Sequence, residues 1–60
     1  MKTVREIREE RGLSTKFVSE KLSLKRPAYL RRERGEVDWK INELKAFSRL
    51  TGVPIEMIQT

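Results

Sequence analysis

The sequence contains no cysteine and no histidine among its 60 residues. Disulfides are therefore excluded, and the residue sets that hold structural zinc cannot be assembled from this chain. Catalysis would have to rely on carboxylates or lysines in a pocket, and so short a chain has little room to enclose one. We therefore expect a protein that is not an enzyme and that takes no metal, no cofactor and no small-molecule substrate.

Long apolar stretches are also missing. No run approaches the roughly 20 residues of a membrane-spanning helix, and the first residues, MKTVREIREERG, are charged where a secretion signal would need an apolar core. We therefore expect one soluble domain over residues 1–60, in the cytoplasm and without a membrane partner. Because small chains bury little surface, its stability should come from close helix packing, from a second subunit, or from both.

Glycine and proline are scarce, with three and two copies, and they fall where helices would end or begin. Together with the apolar spacing they predict an all-α fold of five short helices. These cover residues 4 to about 11, residues 15–22, residues from about 26 to 34, a fourth helix ended by Gly52, and a short fifth helix within residues 53–58. The buried stripe of the fourth helix is predicted to contain Ile41, Leu44, Phe47 and either Leu50 or Thr51. No alternating pattern predicts a β-strand.

Polar residues mark the predicted helix starts. Thr3 and Glu6 match a capping box before the first helix, Ser14 matches an N-cap of the second, and Asp38 can cap the fourth. The rest of the first helix carries charges of both signs, which predicts a solvated face. That face would contain Arg5, Glu6, Arg8, Glu9, Glu10 and Arg11.

Positive charge is concentrated in one segment, KRPAYLRRERG at residues 25–35. This segment has five basic residues and one acid, Glu33, which gives +4, whereas the whole chain carries only +5. Such a concentrated potential is typical of a nucleic-acid-binding surface, and a solvated helix face is the alternative. A membrane-surface helix is disfavoured because the segment has few apolar positions.

Only three residues separate the second and third predicted helices, a spacing typical of a helix-turn-helix. Around this turn lie four short motifs: IREERGLS (7–14), VSEKL (18–22), Tyr29 followed by ERG (33–35), and TGV (51–53). In the order and spacing of these motifs, residues 4–58 resemble the Cro/XRE-type, lambda repressor-like DNA-binding domain of phage repressors and many bacterial regulators. The resemblance implies a compact five-helix domain whose second and third helices form the helix-turn-helix.

Three positions depart from the family pattern. Ser23 stands where a glycine usually adopts a left-handed backbone, which costs serine on the order of 1 kcal/mol. Thr15 replaces a glutamine that commonly contacts phosphate. Arg32 replaces an apolar core residue, so either its stem packs while its charged head reaches solvent, or it stacks on an aromatic ring such as Trp39.

The resemblance further implies that the third helix enters the major groove and reads base edges. The positions carried over as base-contacting are Lys25, Arg26, Pro27, Leu30 and Arg31. Each of the two arginines could fork onto a guanine, whereas the proline and the leucine could make only apolar contacts, for example with a thymine methyl. Four further positions are expected to contact phosphate: Thr15, Lys16, Arg34 and Lys40. Such contacts fix the register of the protein on the duplex but do not read its sequence.

Several of these residues also have a purely structural interpretation. Tyr29 is more typical of a core than of a stacking platform. Trp39 could cover the core between the third and fourth helices, rest on DNA or join a dimer surface, and we expect the first. We expect a structural role for Arg32, and an exposed Leu30 would need no special explanation.

The combined prediction is sequence-specific binding of double-stranded DNA by a small transcriptional repressor that occludes a palindromic operator. This resembles the short Cro-like regulators of phages and prophages, and it implies the cytoplasm of a bacterial or phage-infected host cell. The chain is expected to form a homodimer, at least on DNA, through residues 39–58, with Val37, Ile55 or Met57 as apolar contacts. The alternative is a protein-interaction module of the same fold, such as an antitoxin or a partner-binding regulator, because fold alone does not fix function.

Overall fold

The computed structural model describes all 60 residues and contains four α-helices, one 3-10 turn and two very short strands. The order along the chain is β1 (Lys2–Thr3), α1 (Val4–Glu10), α2 (Thr15–Lys21), α3 (Arg26–Glu33), α4 (Ile41–Thr51), the 3-10 turn (Ile55–Met57) and β2 (Ile58–Gln59). The all-α class and the first four helices are thus confirmed. No helix is long and apolar enough to cross a membrane.

The predicted count of five helices is not confirmed, and the expected absence of strands is wrong. After Pro54 the chain makes only a three-residue 3-10 turn and then extends into β2. Strand β2 pairs in parallel with β1, with Lys2 opposite Ile58. Two-residue strands are too short to show an alternating pattern, and their pairing joins the two ends of the chain, so no local signal could predict it.

Side-chain caps begin the first two helices as predicted. The Thr3 backbone N–H donates to Glu6 Oε1 at 3.0 Å, and the Glu6 N–H donates to Thr3 Oγ1 at 3.2 Å, completing a capping box. At the start of α2 the Phe17 N–H donates to Ser14 Oγ at 3.0 Å. The predicted Asp38 cap is wrong, because α4 begins two residues further along the chain, after Lys40.

The core is built from eight buried apolar side chains contributed by all four helices and β2. They are Val4, Ile7, Val18, Leu22, Tyr29, Leu44, Phe47 and Ile58. Tyr29 is fully buried, as predicted, and Trp39 packs against this core with its ring in an edge-to-face contact 5.7 Å from the Tyr29 ring. Trp39 therefore covers the core, as expected.

The buried stripe of α4 is shorter than predicted. Ile41, the first residue of α4, is 61% exposed. Leu44 and Phe47 are buried, and Leu50 packs against the core from a half-buried position. Thr51 is also half-buried, and its hydroxyl donates to the Phe47 carbonyl oxygen at 2.8 Å.

Candidate nucleic-acid interface

The turn between α2 and α3 holds these helices in a fixed relation. Ser23 opens the turn with φ +58°, the left-handed backbone expected at this position. Backbone bonds from Ser23 N–H to the Glu20 carbonyl and from Leu24 N–H to the Ser19 carbonyl, 2.9 Å long in the second case, close the end of α2. Ser19 is buried, and its small side chain permits close packing at this point. The second and third helices thus form the predicted helix-turn-helix.

Helix α3 presents most of the predicted base-contacting residues to solvent. Lys25 precedes the helix, Arg26 and Pro27 form its first turn, and Arg31 lies one turn further along; all four are exposed. Proline is tolerated there because the first amides of a helix have no partner within it. Leu30 differs from the other four, since it is half-buried and packs against the core.

The single acid of the basic segment faces inward. Glu33 is bound on both carboxylate oxygens by Arg8 of α1, with Nε to Oε2 at 2.9 Å and Nη2 to Oε1 at 3.1 Å. The Tyr29 hydroxyl also donates to Glu33 Oε2, at 2.5 Å, and Arg8 Nη1 donates to the Leu13 carbonyl at 3.0 Å. The side chains of Arg8 and Glu33 are only 12% and 7% exposed.

The interactions within this cluster shift two pKa values. The hydrogen bond to Glu33 raises the pKa of Arg8, and burial followed by the bond to Glu33 raises the pKa of Tyr29. Both shifts favour the protonated forms, which are the charged Arg8 guanidinium and the neutral Tyr29 hydroxyl. The prediction that Arg8 belongs to a solvated face is therefore wrong, because its partner lies 25 residues away in the sequence. Arg8 and Glu33 both lie in motifs that match the family pattern, IREERGLS and ERG. This match was the available sequence signal that both residues have a structural role.

Arg32 forms a second buried ion pair, with Glu43 of α4. Its Nε donates to Glu43 Oε1 at 2.9 Å and its Nη1 donates to the Ala28 carbonyl at 3.1 Å. The side chains are 11% and 5% exposed, so the charged head pairs with a carboxylate instead of extending into solvent. The structural role expected for Arg32 is confirmed, although its partner is a carboxylate that sequence reasoning missed. No sequence signal pointed to Glu43, because its position three residues after the N-cap follows only from the observed start of α4 after Lys40.

The predicted phosphate-contacting residues lie at helix ends. Thr15 is half-buried as the first residue of α2, and Lys16 beside it is exposed. Lys40 is exposed at the N-cap of α4. Arg34 is exposed at the end of α3, where its Nε lies 2.6 Å from Oε2 of the equally exposed Glu36.

Three cations of the segment have no ion-pair partner. The six ion pairs of the structure involve none of Lys25, Arg26 and Arg31. These side chains therefore remain available to an anionic ligand. No group of three or more acidic residues lies close enough to hold a metal ion.

A family model described as "Helix-turn-helix" matches residues 4–58, which is nearly the whole chain. No curated protein and no solved structure matches this chain.

Proposed function

Because the chain belongs to the Cro/C1-type helix-turn-helix family of DNA-binding regulators, we propose that it binds double-stranded DNA sequence-specifically and represses transcription by occluding its operator. Helix α3 would lie in the major groove with its N-terminal end at the base edges. Repression by occlusion needs no further activity, because a bound protomer excludes other proteins from the same DNA.

One observation carries this proposal: the outer face of α3 has unpaired cations while the acid of the same segment is turned inward. Glu33 is neutralised by Arg8 and shielded from solvent. The field outside α3 is therefore dominated by the exposed Lys25, Arg26 and Arg31. Such an arrangement attracts phosphate over long range and offers donors to base edges at short range.

The proposed base readout uses two kinds of contact. Arg26 and Arg31 present forked guanidinium groups that suit the O6 and N7 acceptors of guanine, and Lys25 can donate to the same acceptors. Pro27 offers an exposed apolar surface, suited to a thymine methyl. Leu30 can contribute only an edge of its side chain, because the rest packs on the core.

The proposed phosphate contacts flank this readout. Thr15 and Lys16 at the start of α2 supply a hydroxyl and a charge, and Lys40 supplies a charge at the start of α4. Arg34 has to share its guanidinium between Glu36 and a phosphate. Contacts of this kind position the protein without selecting a sequence.

We also propose that two copies act together on a palindromic operator. The molecule measures 24 × 22 × 17 Å, whereas half-sites one helical turn apart are separated by roughly 34 Å. Each protomer has a single α3 and can therefore read only one half-site. Exposed Val37 and Met57, with half-buried Ile55, are the apolar side chains proposed for the contact.

The test is selection from a random duplex pool followed by binding of the enriched duplex over a salt series. We expect a palindromic sequence to be enriched and log affinity to fall with log salt by about 0.9 per neutralised phosphate. A scrambled duplex of equal length serves as the control. If no duplex is enriched, sequence-specific recognition is wrong, and a protein-interaction role becomes the better interpretation.

A further inference from the structure

The C-terminal half of α3 is attached to two other helices through consecutive residues. Glu33 binds Arg8 of α1, and Arg32 binds Glu43 of α4. The N-terminal half of α3, with Arg26 and Pro27, forms no ion pair to the rest of the protein. The ion pairs of Arg32 and Glu33 therefore add polar links at the C-terminal half of α3 to the apolar packing of Tyr29.

The Glu43 carboxylate connects α3 to the start of α4. Its Oε1 accepts from Arg32 Nε at 2.9 Å and from the Lys40 backbone N–H at 2.9 Å. One oxygen atom thus links a guanidinium on the base-reading helix to the residue that begins α4. Lys40 is the residue proposed above to hold phosphate on that side.

The geometry of this link is directional, unlike the apolar packing around it. Hydrophobic contacts are non-directional, so packing of Tyr29 and Leu30 alone permits small rotations of α3. The Arg32 guanidinium is planar and is held at two points, by Glu43 and by the Ala28 carbonyl of its own helix. A buried ion pair adds little net stability over an apolar pair of similar volume, and geometric definition is what it can contribute instead.

We propose that the Arg32–Glu43 pair is a positioning device for DNA readout, which fixes the rotation of α3 relative to the start of α4. The pair thereby sets the separation between the base-reading Arg26 and Arg31 and the phosphate contact at Lys40. Glu43 is buried and Arg32 is mostly buried, so in this proposal neither side chain contacts DNA itself. This inference rests on the proposed function of the site.

The test is the double variant Arg32→Met with Glu43→Gln. It removes one positive and one negative charge, so the net charge stays at +5, and the introduced glutamine amide still offers an oxygen to the Lys40 N–H. We expect affinity for the selected duplex to fall at least about tenfold, comparable to the loss of one bidentate base contact. Affinity for a scrambled duplex should fall much less, because non-specific binding does not require a fixed separation between Lys40 and the base-reading residues. The salt slope should stay close to that of wild type, because every basic residue proposed to contact phosphate is retained.

The matched control is Arg5→Met with Glu9→Gln, which removes the same two charges from an exposed ion pair of α1. We expect its ratio of specific to non-specific affinity to stay within about twofold of wild type, below the effect of a single base contact. Amide spectra and thermal unfolding show whether each variant is folded. If the Arg32/Glu43 variant is folded and keeps the wild-type ratio, the pair is only structural and the inference is overturned.

A second variant, Arg32→Lys, applies if the double variant does not fold. Lysine keeps the charge opposite Glu43 but lacks the planar fork that also reaches the Ala28 carbonyl. We expect a partial loss of the specific-to-non-specific ratio, and an unchanged ratio overturns the inference. Binding by the wild-type protein separates the two claims. If the wild-type protein shows no preference among duplexes, the proposed function and this inference are both overturned. If it shows a preference that the folded variants retain, only this inference is overturned.

Discussion

Arg31 and Arg34 carry the same charge in different surroundings. Arg31 is exposed on α3 without an ion-pair partner, whereas Arg34 follows the helix and binds Glu36. We expect Arg31→Ala to lose roughly 1 to 3 kcal/mol of binding free energy on the selected duplex and to relax preference at one base position. We expect Arg34→Ala to weaken all duplexes alike, because a phosphate contact carries no sequence information.

Competition binding against duplexes changed at single positions checks this pair of predictions. Arg49→Ala is the matched control, because it removes an exposed positive charge from the last turn of α4. Equal losses on every duplex for Arg31→Ala and Arg34→Ala would contradict base readout by Arg31.

Ser23 is the only non-glycine residue with a positive φ, at +58°. Side chains are strained in this conformation, and glycine is not. We therefore expect relief of this strain in Ser23→Gly to raise the free energy of unfolding by about 1 kcal/mol. The greater flexibility of glycine in the unfolded chain offsets part of this gain. Urea unfolding measures the change as a shift in midpoint at constant slope.

The reverse substitution serves as the control for Ser23. Gly12 has φ +66°, and a Cβ added there would meet no atom within 4 Å. Gly12→Ser should therefore lower the free energy of unfolding by about 1 kcal/mol through backbone strain alone. A stabilising effect of Gly12→Ser would contradict the strain argument for both positions.

At the scale of elements, the capping box makes the stability of α1 depend on pH. The pKa of Glu6 is lowered first by the hydrogen bond from the Thr3 backbone N–H and then by the Thr3 hydroxyl. A lowered pKa in the folded state gives stability that is present above the unfolded pKa and is lost as pH falls through the folded value. We expect a carboxyl chemical-shift titration to find Glu6 below the ordinary glutamate range.

Two variants separate the contributions to the Glu6 pKa. Thr3→Ala removes the hydroxyl that donates to Glu6 Oε1 and leaves the backbone N–H, so the pKa of Glu6 should rise only part of the way to its ordinary value. Glu6→Gln should remove this group's share of the acid-dependent loss of stability. An unshifted Glu6 in the wild-type titration would show that the capping box does not form in solution.

The end of the chain offers a direct test of the burial of Ile58 in strand β2. Ile58 is 5% exposed in β2, whereas its neighbour Met57 is 51% exposed. We expect Ile58→Ala to lower the free energy of unfolding by roughly 2 to 5 kcal/mol, through lost burial and the cavity left behind. Met57→Ala should change it by less than about 0.5 kcal/mol, as is usual for surface positions. Similar costs at both positions in thermal unfolding would contradict the observed alternation.

At the scale of the whole molecule, the proposed dimer makes a stoichiometric prediction. Because each protomer has one α3 and a palindrome has two half-sites, we expect two protomers per selected duplex at saturation. Met57→Lys should reduce binding of the second protomer without changing monomer stability, since this exposed side chain is proposed for the contact. Analytical ultracentrifugation with and without duplex measures the stoichiometry. A single protomer bound at saturation would contradict the proposed dimer.

Helix positions were predictable because their signals are local. Thr3 with Glu6 and Ser14 with Phe17 satisfy amides within three residues of each cap, and such bonds depend on the neighbouring sequence alone. Tyr29 could be assigned to the core from its type and spacing. Ile41 was assigned wrongly, because periodicity shows which face of a helix is apolar but not where along its length the core ends.

The sequence by itself determined the helical class, the short turn between α2 and α3, and the basic segment that contains α3. Only the tertiary structure decided which charges of that segment point outward. Glu33 and Arg32 are paired with residues 25 and 11 positions away, and the two ends of the chain meet in a parallel strand pair. The reason is physical: caps and turns depend on neighbours along the chain, whereas a buried ion pair depends on which helix faces meet. The positive charge of the surface proposed for DNA therefore comes from the local sequence, whereas the fold decides which of its side chains are exposed.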